Sequence, residues 1–257
     1  MNPLGIFFRE AGTTLIELLV GTALFLVIFA AGVQFLGIQN RWTVSQERTG
    51  EAQRQAWMAL DMMQREISLA GSGLSEDEAV FLVAEESEVA FLSNIDREVT
   101  VLTASAARGD TQIQVAGSTF RQGTDFEDGN EVRLCNEGVC EQHRLAGEAG
   151  RYSLEFREPV RGAFPPGSTV DVVHRIHYRL KKNDSGGFKL IRIVDGGGGP
   201  LAENISEMRL RYFDRSGRQV SGPEGIRAVG ITIHVRVPGR PAAGRHLEGL
   251  AAVRNGR

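Results

Sequence analysis

Glu17 is the residue whose position most needs a chemical reason. It stands at the head of Leu18–Phe35, LLVGTALFLVIFAAGVQF, a run without a charged residue. An ionised carboxylate inside a membrane-spanning helix costs about 2.5–3.5 kcal/mol at mid-membrane, so such a group normally has a partner or a task. The plain alternative is an interfacial glutamate that reaches back into water. Cys135 and Cys140 flank Asn136-Glu137-Gly138, which is turn material between two β-compatible runs. In an oxidising compartment a disulfide clamping that hairpin is favoured, contributing about 2 kcal/mol for so short a loop. A metal site with His143 as third ligand would want a second Cys or His pair, and none accompanies it.

The other polar constellations carry less. His174 and His177 lie three apart in a β-compatible run, which sends them to opposite faces and argues against a shared metal. Asp125, Glu127, Asp128 and Asn130 form an acidic loop around Gly129. Oxygen ligands there could hold Ca²⁺, but the spacing is not that of a calcium loop, and a solvated turn is preferred. Asp195-Gly-Gly-Gly-Gly-Pro200 lacks the Lys-Ser/Thr of a phosphate loop and reads as a flexible turn. Arg175, His177, Arg179, Lys181 and Lys182 make a basic stripe that reads as a solvated strand face. No serine elbow, zinc-protease helix or pair of raised carboxylates stands out, so the expectation is no enzyme, no cofactor and no metal.

Few elements are needed to position these groups. The chain has 257 residues, 42% hydrophobic and 24% charged, a folded composition, with a formal net charge of −3 that argues against nucleic acid as a general partner. Leu18–Phe35, extended by Leu36 and Ile38, reaches the roughly 20 apolar residues a membrane-spanning helix needs. Beyond it the sequence turns polar, but Ala52, Ala56, Leu60, Met63, Ile67 and Ala70 recur at spacings of three and four. That is the stripe of an amphipathic helix seeking a partner surface, and Gly71-Ser72-Gly73 should cap it.

From Val80 onward short alternating runs are separated by turn residues. They predict strands at Val80–Ala84, Val89–Ser93, Val99–Thr103, Gln112–Val115, Glu131–Cys135, Val139–Leu145, Tyr152–Phe156, Thr169–Lys181, Phe188–Val194, Glu207–Phe213 and Ala228–Val237. Val229, Ile231, Ile233, Val235 and Val237 alternate cleanly, as in an antiparallel sheet with one buried face. The expected fold class is α+β, a long N-terminal helix packed on an antiparallel β-sheet head.

Ala11-Gly12-Thr13-Thr14-Leu15-Ile16-Glu17-Leu18-Leu19-Val20 resembles the prepilin processing site of the type IV pilin superfamily. The resemblance implies cleavage by prepilin peptidase between Gly12 and Thr13, N-methylation of Thr13, and retention of the helix that follows. The freed amine would lie one helical turn from Glu17, which could be compensated in its own chain or by the amine of a neighbouring subunit. Thr13 departs from the aromatic or methionine usual at that place, and no proline stands between Pro3 and Pro159. Further on, LAENISEMRLRYFDRSGRQ, IRAVGITIHVRV and LEGLAAVRN look like the C-terminal half of W-type minor pilins and J-type type II secretion pseudopilins.

The organisation that follows is residues 1–12 as leader peptide and 13–37 as transmembrane helix. Residues 38–73 are then its periplasmic amphipathic continuation, and 74–257 a β-rich head. The implied role is a minor pilin or pseudopilin in a tip or priming complex for a pilus-like filament. The alternatives are a pilus-tip recognition module for DNA uptake or adhesion, or a type II secretion pseudopilin. The implied partners are other minor and major pilins, prepilin peptidase, the inner-membrane assembly platform and membrane lipid. The implied location is the bacterial inner membrane, single-pass with a periplasmic head, and then the filament.

Overall fold

The computed structural model describes residues 15–75, 78–116, 126–147, 150–183, 187–236 and 244–254. Among the described residues one helix, α1 (Leu15–Ser68), precedes fourteen strands. Backbone contacts divide the chain into two compact units, the first ending at Thr49 and the second beginning at Gly50. Grouped in this way, the last turns of α1 belong with the β-rich part.

In the second unit the helical stripe does what its spacing requires. Ala52, Ala56, Leu60, Met63, Ile67 and Ala70 are all at most 2% exposed, and Ala59 joins them. They pack on one face of a large antiparallel sheet. Its strands in chain order are β1 (Phe81–Ala84), β2 (Glu88–Ser93), and, after a long excursion, β9 (His174–Lys182), β10 (Phe188–Val194), β11 (Gly197–Phe213), β12 (Gln219–Val220), β13 (Ala228–Val235) and β14 (Arg245–Ala252). Their spatial order is β1-β2-β9-β10-β11-β13-β14, with β12 beside β11. Val229, Ile231, Ile233 and Val235 point into the helix–sheet core, as the alternation predicts; Val237 lies outside the described residues.

Polar contacts secure the end of the helix. Gly71 takes φ 82 and Gly73 φ 79, left-handed values at which glycine carries no Cβ penalty. Gly71 N–H donates to Leu92 C=O at 2.9 Å, Asn94 N–H to Ser72 C=O at 2.9 Å, and Arg254 N–H to Ser68 C=O at 3.1 Å. Gln64 Nε2 reaches Leu250 C=O at 3.2 Å. Gly249 lets β14 approach the helix closely: a Cβ there would fall 2.9 Å from Leu60 Cδ1 and 2.8 Å from the Gln64 side chain.

The excursion between β2 and β9 builds a second core. β3 (Val99–Val101), β8 (Thr169–Val172), β5 (Glu131–Asn136) and β6 (Val139–Arg144) form a four-stranded sheet in that order, and β4 (Gln112–Gln114) pairs with β7 (Ser153–Glu155). Leu102, Ile113, Leu134, Leu154, Phe156 and Phe164 are buried in this cluster, which contains no residue of α1.

Two expectations are corrected here. Thr169–Lys181 is not one strand but β8 and β9, which belong to different sheets. Val173, between them, is buried and donates its N–H to Glu131 C=O at 2.9 Å. The alternation runs straight through the change of sheet, because both strands bury every second residue. Nor is the glycine run a flexible turn. Only Asp195 (φ 50) and Gly196 (φ 89) turn the chain, while Val194 pairs with Gly197 and β11 begins inside the run. Two consecutive left-handed residues are what a two-residue hairpin of right-handed twist requires, and Asp-Gly is a preferred pair for it.

Candidate functional site

The first candidate is the exposed half of α1. Among the described residues one helix is long and apolar enough to cross a membrane, and it is this one. Leu15, Ile16, Leu18, Leu19, Leu24, Phe25, Ile28, Phe29 and Phe35 are all exposed. Water would not tolerate so continuous an apolar surface, which needs lipid or other helices around it. Glu17 stands in the first turn and is exposed. Thr22 Oγ1 donates back to Leu18 C=O at 2.9 Å, which hides its hydroxyl within the helix. Arg41 and Trp42 follow the apolar run, residue types that settle at a membrane–water interface. Gly12 and Thr13, the two sides of the expected cleavage, lie outside the described residues.

The second candidate is a polar clamp between helix and sheet that sequence reasoning missed. Glu66 of α1 accepts from Arg192 on β10, with Nε 3.0 Å from both carboxylate oxygens and Nη2 2.5 Å from Oε1. Tyr178 of β9, buried in the core, donates its hydroxyl to Glu66 Oε2 at 2.5 Å. Arg192 and Tyr178 are direct cross-strand neighbours, so the β9–β10 register presents both donors to one carboxylate. Burial, with the Glu66 charge beside it, pushes the Tyr178 hydroxyl well above the usual tyrosine range. The hydrogen bonds from Arg192 to Glu66 raise the guanidinium's already high value further. The one sequence signal is Arg192 on the same strand face as Leu190 and Val194, a charge on an inward-facing row. Its partner 126 residues away is not legible locally.

The remaining predicted residues separate. Cys135 and Cys140 form a disulfide across directly opposed positions of the β5–β6 hairpin. The loop itself is the two residues Glu137 (φ 46) and Gly138 (φ 86), with Asn136 already paired to Val139. Reduction, or Cys135→Ser with Cys140→Ser, should lower stability by about 2 kcal/mol and leave the rest of the fold intact, read by urea unfolding with and without reductant.

His143 is buried, stacked on Phe156 at 4.5 Å with Nε2 3.1 Å from Glu141 Oε2. In the acidic loop, Asp128 is held by Arg157 Nη2 at 3.0 Å, and Asp125 lies outside the described residues. No cluster of three His, Cys, Asp or Glu side chains able to hold a metal ion occurs among the described residues.

His174 and His177 have different carboxylate partners, as opposite strand faces require. His177 Nε2 lies 2.6 Å from Glu88 Oε1. His174 Nδ1 lies 2.7 Å from Asp195 Oδ2 and its Nε2 3.4 Å from Asp96. Burial pulls the His174 value down, but the hydrogen bond and charge of Asp195, with Asp96 behind it, outweigh that and raise it above 6.5. Burial alone would raise Asp195; the bonds from His174 and the Arg175 N–H reverse this and leave it below 3.8. A raised histidine contributes stability in full below its unfolded value, and a lowered carboxylate contributes above its own. The pair is therefore complete between about pH 4 and 6.5, and its contribution fades as pH rises through the raised His174 value. The melting temperature should fall from pH 6 to 8, and His174→Gln should flatten that slope.

Arg175, Arg179 and Lys181 are exposed on one face of β9, with His177 of the same face tied to Glu88. No protein-family model, no curated protein and no solved structure matches this chain.

Proposed function

We propose that the chain is a minor pilin or pseudopilin, a membrane-anchored subunit that acts by joining a pilus-like filament and not by catalysis. The observation that carries the reading is one helix with two characters. Its N-terminal part is bare apolar surface broken by a single carboxylate, Glu17, and its C-terminal part is sewn into an antiparallel sheet. A soluble enzyme has no use for the first part. A filament subunit needs both, an anchor that can move from lipid into a bundle of like helices and a head that travels with it.

In this reading prepilin peptidase cuts after Gly12, Thr13 becomes the methylated N-terminus, and Glu17 meets an N-terminal amine in the assembled bundle. The head faces the periplasm while the subunit waits in the inner membrane. The subunit then enters a tip or priming complex with other pilins on the assembly platform. Support comes from the Gly12 processing motif, the position of Glu17 and the docking of the helical stripe.

The test is purification of the assembled machine through this chain, with mass spectrometry of what accompanies it. Pilin-like partners and a mature chain beginning at methyl-Thr13 are expected. A chain that keeps residues 1–12 in the working complex would overturn the reading.

A further inference from the structure

Where β11 ends, β13 begins and β14 ends lies an open pocket of about 830 Å³. Its apolar lining is Phe213 at the end of β11, Ala228 at the start of β13 and Leu250 on β14, with the edge of Val253, itself packed in the helix–sheet core. Leu250 is 63% exposed, because Leu247 and Ala251 take the helix-facing positions of β14 and its cross-strand neighbour Gly230 offers no side chain to cover it. Around this apolar lining stand Arg215, Arg227 and Arg254. None of the three guanidiniums makes an ion pair or hydrogen bond with another described residue, whereas Arg133, Arg144, Arg157, Arg192 and Arg209 are each paired.

Among the described lining residues the one carboxylate is Asp214, a single negative charge against three positive ones. Its Oδ1 is spent on its own turn, accepting from Ser216 N–H at 2.8 Å, Ser216 Oγ at 2.7 Å and Arg218 N–H at 2.9 Å. Among the described residues the pocket therefore joins an apolar patch to an excess of positive charge, in a volume that can hold a ligand.

We infer that this pocket is a docking site for a short acidic peptide segment of another protein, one large apolar side chain resting on Phe213 and Leu250 while flanking carboxylates pair with Arg215, Arg227 and Arg254. Charge complementarity selects the occupant. Three separated guanidiniums call for several carboxylates spread over the rim, which alternate side chains of an extended peptide supply and a single small anion does not. Arginine suits this work because its planar fork can hold a carboxylate through two parallel bonds. The inference stands on the pocket itself and does not depend on which machine the chain serves.

The test uses the full-length protein in neutral detergent micelles and a fluorescein-labelled peptide alternating Asp with Leu and Phe, followed by anisotropy. Saturable binding that weakens with salt is expected, together with at least about a tenfold loss, or about 1.4 kcal/mol, when Asn replaces Asp in the peptide or when Arg227→Gln and Arg254→Gln are combined. Circular dichroism confirms that the double variant is folded. Arg179→Gln with Lys181→Gln, on another part of the sheet, should leave binding unchanged. The charge-reversed Arg215→Glu, Arg254→Glu protein should take a Lys-bearing peptide instead. Equal binding of the Asn peptide, or equal loss in the β9 variant, overturns the site. Displacement of the peptide by equimolar inorganic phosphate, or tighter binding of a single-stranded oligonucleotide at the same arginines, overturns the peptide as its ligand.

Discussion

Glu17→Gln protein should insert in the membrane and fold its second unit normally, yet be lost from assembled filaments by more than about tenfold. The two halves of that expectation have one physical cause. A neutral amide is cheaper than a carboxylate to place among lipid chains, so insertion has nothing to lose. Assembly does, if an N-terminal amine is carried into the same water-poor bundle, because that amine is then buried without its counter-charge. Removing one partner of a desolvated pair costs about 3–5 kcal/mol, far more than an exposed pair would. Glu17→Asp keeps the charge on a shorter arm and should retain part of the incorporation. The measurement is the ratio of this chain in sheared filaments to that in membranes, with the disulfide of the head as a folding check. Filament incorporation of Glu17→Gln within about twofold of the native protein would remove the basis of the proposed function.

Arg192→Met should destabilise the folded unit by about 3 kcal/mol. It leaves Glu66 pressed between helix and sheet with its charge answered only by the Tyr178 hydroxyl. Tyr178→Phe removes a donor but no charge and should cost about 1–2 kcal/mol. Combining Glu66→Leu with Arg192→Met should cost less than the two single changes added together, since no orphan charge is left in either partner's place. Chemical denaturation in micelles reads all four proteins. The tyrosine adds an alkaline signature. Its folded value is raised, so its contribution is complete below the ordinary value of 10.0. As pH climbs past that value the unfolded chain ionises first and stability falls. Tyr178→Phe should blunt that loss.

Much of this architecture is written in local spacing. The stripe from Ala52 to Ala70 can only be one face of a helix, because residues three and four apart meet nowhere else. The buried row Val229, Ile231, Ile233 and Val235 can only be a strand for the same reason with a period of two. The apolar run after Glu17 reads as a membrane segment because length and the absence of charge are properties of the chain itself. The cysteine pair was legible because five residues and a turn signal bring the two together without help from the rest of the fold.

Tertiary structure decided what depends on distant partners. Alternation marks Thr169–Lys181 as extended but is silent on sheet membership, so only packing shows the chain leaving one sheet at Val173 for another and enclosing a second core. The Asp195-Gly196 hairpin looked like part of a longer glycine turn because glycine permits both readings. The register of β10 against β11 selects between them. Glu66, Tyr178 and Arg192 are scattered over 126 residues, and Phe213, Arg227, Leu250 and Arg254 lie on different strands and loops. Neighbours in sequence determine secondary structure through backbone geometry. Charges and pockets arise where unrelated segments are brought together, and that meeting is set by the sheet's pairing and by the helix laid across it.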